Sequence, residues 1–150
     1  MAVLIVLAVV TLLARLAGQF GVAFLKDWTA AIRLGLAAMF CFTAVAHFNS
    51  MRPDLVRMMP PEIPNPEFMV TFTGICEILG AIGLLIPRTR RIAGVALILF
   101  LLAVLPANIH AARAGLTLGN SPVTALVPRV AIQVLFIVLL WWSAVRPRSA

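Results

Sequence analysis

Five long apolar runs, separated by short polar or proline-rich stretches, set the pattern of this chain. They cover residues 2–25, 28–48, 68–86, 92–112 and 123–145. The first is interrupted by Arg15 and Gln19, and the second carries Arg33 near its start. No run alternates with a period of two, so strands are not expected and the chain is predicted to be all-α. A helix needs ~20 residues to cross the hydrocarbon of a bilayer, and the last four runs meet that length. The first is predicted to span as well, with Arg15 snorkelling to the interface or facing another helix. It has no cation ahead of it and no clear small-residue cleavage site, so a removable signal peptide is not expected.

The stretches between the runs predict how the helices start and turn. In "PNPEF", Asn65 is placed as N-cap, Pro66 at the first helical position and Glu67 in the first turn. "GNSPV" offers Ser121 and Pro122 in the same roles. Residues 88–91 are too few to do more than reverse the chain, so the third and fourth helices are predicted to be antiparallel neighbours. The link over 49–67 holds Pro53, Pro60, Pro61, Pro64 and Pro66, and is expected to form a structured cap.

Composition turns these helices from buried core elements into membrane spans. Of the 150 residues, 63% are hydrophobic and 11% charged, against about half and about a quarter in a soluble domain. Too few polar side chains remain to cover a water-facing surface. The net charge of +7 lies in single cations and short clusters with no basic face, which argues against nucleic acid as a partner. The Lys and Arg distribution predicts orientation instead. Arg88, Arg90, Arg91, Arg146 and Arg148 place the third-to-fourth link and the C-terminus on the cytoplasmic side of a bacterial-type inner membrane. Cys41 and Cys76 lie within apolar runs with no CxxC or zinc spacing, and are expected to be small fillers.

The few polar groups inside the runs are the candidate chemistry. Counting 1.5 Å per residue puts Glu77 roughly 13 Å below the outer end of its helix. Gln133, counted from Thr124, reaches a similar depth. Thr73 and Thr43 lie one turn from Glu77 and His47, respectively; Arg129 lies one turn above Gln133. Asn108 and His110 follow Pro106 near the outer end of the fourth run. A start of the last helix at Pro128 would move Arg129 and Gln133 outward. A charge at bilayer depth costs on the order of 3 kcal/mol, so these groups are expected to face inward. Glu77 is expected to be neutral or to meet Arg129, Gln133, His47 or His110. The eight residues Thr43, His47, Thr73, Glu77, Asn108, His110, Arg129 and Gln133 form a candidate ligand pocket in the outer half. The plain alternative is a polar cluster that locks helices in register. Metal is not expected, since Glu77 lies well below His110 and ligands must meet at about 2 Å from an ion.

Four stretches carry a resemblance: "AHF" (46–48), "MPPEIP" (59–64), "TGICEILGAIGLLIPRTRRIAG" (73–94) and "LPANIHAA" (105–112). Together they resemble the DoxX family of small membrane proteins over about residues 28–145. The resemblance implies an integral membrane four-helix bundle over 28–146, an additional N-terminal hydrophobic helix over 1–27, and a short basic tail at 147–150. It also implies a quinone- or lipid-binding subunit of a membrane redox or oxidative-stress complex. No haem, flavin or iron–sulfur motif is present, so the carrier expected is a bound quinone or a centre in a partner redox protein. Membrane lipid and a second copy of the chain are further expected partners. A non-catalytic scaffold or assembly protein is the alternative. A transporter is disfavoured because the polar cluster stops halfway and no inverted repeat appears.

Overall fold

The computed structural model describes residues 2–118, 121–122 and 125–146. Six helices follow one another: α1 (Ala2–Gln19), α2 (Trp28–Val45), α3 (Arg52–Met58), α4 (Pro66–Leu85), α5 (Arg90–Arg113) and α6 (Leu126–Leu140). A π turn, Trp141–Val145, extends α6. Five of these helices, α1, α2, α4, α5 and α6 with its π turn, are long and apolar enough to cross a membrane. The predicted positions 123, 124 and 147–150, with Arg148, lie outside the described residues.

The chain packs largely in sequence order, α1 on α2, α2 on α4, α4 on α5, α5 on α6, with the π turn closing back on α2 and α5. Leu36, Met39 and Phe40 of α2, Val70 and Leu84 of α4, Leu97 of α5 and Leu140 of α6 are fully buried along the shared centre. Leu12, Leu79, Leu99 and Val138 turn outward. Apolar side chains on both sides of these helices are compatible with a lipid-facing surface.

Small residues bring the backbones close. A Cβ on Gly35 would lie 2.9 Å from the Leu7 carbonyl oxygen and against the Thr11 hydroxyl, so α1 lies directly on α2. Arg15, near the other end of that contact, reaches the carbonyls of Leu25 and Lys26. Its guanidinium also sits 4.8 Å from the Trp28 ring centroid. The cation inside the first run is thus held at the helix end by carbonyls and an aromatic face.

The helix ends differ from expectation in places. α2 stops at Val45 because the amides of Ala46, His47 and Phe48 bond to carbonyls three residues back, tightening the chain into a 3₁₀-like turn. Asn65 does precede α4, with Pro66 at its first position, but its side chain does not cap. Asn65 takes the left-handed conformation instead (φ 51°), which Asn tolerates better than most residues. The 49–67 link contains α3, which packs on α4 and α5. The Asn49 side chain accepts from the Met51 amide at 2.8 Å and sets its entrance.

Ser121 and Pro122 do not start a helix. They form a two-residue strand paired antiparallel to Thr117–Leu118, a hairpin the apolar pattern did not predict. α6 begins at Leu126, and its first bond runs from the Arg129 amide to the Ala125 carbonyl at 3.1 Å. Pro128 thus falls in the first turn, where its missing N–H costs nothing.

Candidate functional site

The polar side chains predicted to share one pocket are placed in two groups, with His110 apart from both. Thr43, His47, Thr73 and Glu77 meet between α2 and α4. Asn108, Arg129 and Gln133 meet between α5 and α6. Among the described residues, no hydrogen bond or ion pair joins the two groups.

The α2–α4 group follows from helical spacing. Thr73 and Glu77 are one turn apart on α4, and Thr43 and His47 one turn apart on α2 and the turn after it. Glu77 is buried, at 7% exposure. Thr43 donates to Glu77 Oε2 at 3.0 Å. His47 Nδ1 lies 2.6 Å from the Val70 carbonyl oxygen. A carbonyl only accepts, so Nδ1 carries the hydrogen, and Nε2 is the nitrogen left facing Glu77 Oε2, at 3.8 Å. Thr73 Oγ1 lies 3.3 Å from the same Nδ1 and donates back to its own helix. A Cβ on Gly74 would stand 2.6 Å from His47 Cβ; a larger residue there would push the imidazole off α4.

Arg52, at the start of α3, closes the top of this group. Its guanidinium donates to Thr71 Oγ1 at 2.8 Å, the Glu67 carbonyl at 3.1 Å and the His47 carbonyl at 3.3 Å. Burial lowers the imidazole's proton affinity below that of an ordinary histidine. The bond to Val70 works the other way, and the nearby Arg52 cation lowers it further.

The α5–α6 group is a relay of donors. Arg129 Nη1 donates to Asn108 Oδ1 at 2.6 Å, Asn108 Nδ2 to Gln133 Oε1 at 3.2 Å, and Gln133 Nε2 to the Leu101 carbonyl at 2.7 Å. Pro106 has no N–H for the Leu102 carbonyl, so Gln133 reaches the turn of α5 that a proline weakens. Arg129 is therefore tied to Asn108 rather than to Glu77.

His110 instead lines an open depression of about 580 Å³ with Pro60, Pro106, Ile109, Arg113 and Ala114. No cluster of three metal-ligating side chains occurs among the described residues. Cys41 and Cys76 are free thiols.

Three residues outside the predicted set lie at contacts or at the depression just described. Arg52 had no sequence signal, because its partners are mostly backbone carbonyls. Arg33 donates to the Ser143 carbonyl at 2.7 Å, in the π turn that follows α6. The charge of Arg33 inside an apolar run marked it, but its partner did not show. Arg113 follows His110 by three residues, a spacing visible in sequence only once α5 is known to extend through it.

No curated protein and no solved structure matches the chain. The resemblance to DoxX is not upheld, because the family model that fits is a different one. One of the four stretches that suggested it, 73–94, has glycines with a local cause: a Cβ on Gly74, Gly80 or Gly83 would stand under 3.0 Å from His47, Leu97 or Ala93. Any close packing of α4 on α2 and α5 demands small residues at that spacing. Residues 36–144 match the model of a family described as a domain of unknown function, DUF8561, and the chain belongs to that family.

Proposed function

We propose that this is a non-catalytic integral membrane protein: a scaffold or assembly component whose buried polar side chains fasten its own helices. In this reading α2, α4, α5 and α6 form a four-helix core and α1 is an additional helix on α2. The Arg clusters at 88–91 and 146–148 support a cytoplasmic C-terminus and an N-terminus on the opposite side. Both polar groups then lie toward the extracytoplasmic face.

The observation that carries the reading is where the hydrogen bonds go. Thr43–Glu77 and His47–Val70 join α2 to α4; Asn108–Gln133 and Gln133–Leu101 join α5 to α6; Arg33–Ser143 joins α2 to the π turn. Groups spent on neighbouring helices are not held ready for a substrate. In a bilayer, where apolar packing supplies no hydrophobic drive, such bonds are among the forces that fix helix pairing.

A second reading rests on the His47–Glu77 gap. At 3.8 Å the two groups face one another without a normal hydrogen bond, so each retains capacity for a ligand's carbonyl or hydroxyl. A quinone or similar lipid-soluble carbonyl compound, within a redox assembly, is the ligand class this reading takes.

Native mass spectrometry of the intact protein released from mild detergent separates the two. The scaffold reading predicts the polypeptide mass with no stoichiometric small molecule other than phospholipid. A quinone bound one to one, and lost in Glu77→Gln and His47→Ala, contradicts it and establishes the second reading.

A further inference from the structure

The His110 depression belongs to neither polar group. Pro60, after α3, forms one wall; Pro106, Ile109, His110, Arg113 and Ala114 of α5 and its end form the rest. His110 and Arg113 are three residues apart, so they stand side by side on one face of the helix. Among the described residues, neither side chain has a hydrogen-bond or ion-pair partner within the chain, and no acidic side chain lines the depression. In the 49–67 link, Asp54 is paired with Arg57.

The position along the helix matters as much as the composition. α5 has 24 residues, about 36 Å of helix, against ~30 Å of hydrocarbon. Its last turn therefore reaches the headgroup layer, with Pro106 and Ile109 at the acyl boundary beneath. A cation in the last turn of a helix also complements the helix dipole, and that alone would account for Arg113. It would not account for an imidazole beside it, an apolar floor and a wall of proline from another part of the chain.

We propose that this depression holds the headgroup phosphate of an anionic phospholipid. The planar fork of Arg113 matches two phosphate oxygens. A ring N–H of His110 supplies one more donor, which an imidazole has in either charge state. The acyl chains leave along Pro106 and Ile109. A zwitterionic lipid brings its own cation to the same place and is discriminated against. The inference needs α5 to cross the membrane but is independent of the scaffold role.

The test uses the full-length protein in nanodiscs of mixed phosphatidylcholine and phosphatidylglycerol, released into a native mass spectrometer. Retained phosphatidylglycerol should exceed phosphatidylcholine. Its retention should fall about tenfold in Arg113→Ala and in His110→Ala, less in Arg113→Lys, and not at all in Arg91→Ala at the other end of α5. Equal retention by the parent and Arg113→Ala, or an equal loss in Arg91→Ala, overturns the proposal. Displacement of the lipid by inorganic phosphate assigns the site to a free anion and overturns its lipid part. A protein that stays monodisperse without detergent or lipid would defeat the membrane reading itself, an outcome distinct from a detergent-dependent protein with no lipid preference.

Discussion

His47 has one ring nitrogen committed to the Val70 carbonyl and the other turned to Glu77, with Arg52 above. Because burial holds its proton affinity below that of an ordinary histidine, the unfolded chain binds a proton at this position more readily than the folded one. Stability from this group is therefore complete above the ordinary value of 6.5 and declines as the pH falls below it. Thermal unfolding in detergent should show a melting temperature that drops from pH 7 toward pH 5, with a smaller drop in His47→Gln. An identical pH profile in the two proteins would contradict this account of His47. At this scale the sequence was partly legible. A carboxylate at helix depth had to face inward, and Glu77 does. Which partner it meets depends on helix rotation, which is set by contacts such as Gly74 against His47. No periodicity in a uniformly apolar run reports such a contact, so Arg129 could not be separated from His47 as the neighbour of Glu77.

The helices were legible because length alone identifies them: apolar runs near 20 residues admit few other structures. Their ends were legible only where proline or glycine marks them. Pro66 opens α4 as expected, whereas the Thr117–Pro122 hairpin and the π turn at Trp141–Val145 depend on local pairing that hydropathy does not encode. α1 lies outside the matched family region, and its attachment rests on Gly35, where the Leu7 carbonyl and Thr11 hydroxyl crowd the backbone. Gly35→Val should force the two helices apart and cost about 1–3 kcal/mol, measured by unfolding in detergent. Gly21→Ala, at a positive φ but with nothing within 4 Å, should cost only its local backbone strain and leave the α1–α2 contact intact. A Gly35→Val protein as stable as the parent, with α1 still packed, would refute the close approach.

At the scale of the molecule, the five candidate spans and the Arg clusters make one prediction about topology. A fluorescent reporter fused after Ala150 should light up in the cytoplasm, and a phosphatase reporter inserted between Pro60 and Glu62 should be active outside. The reverse pattern would contradict the proposed orientation. The central claim is energetic: the polar side chains act as two separate fasteners, each within one helix pair. Double-mutant cycles on unfolding in detergent test it most directly. Coupling of about 0.5–2 kcal/mol is predicted for Thr43 with Glu77 and for Asn108 with Arg129, and none for Glu77 with Arg129. Strong coupling between Glu77 and Arg129, or none within either group, would contradict the claim.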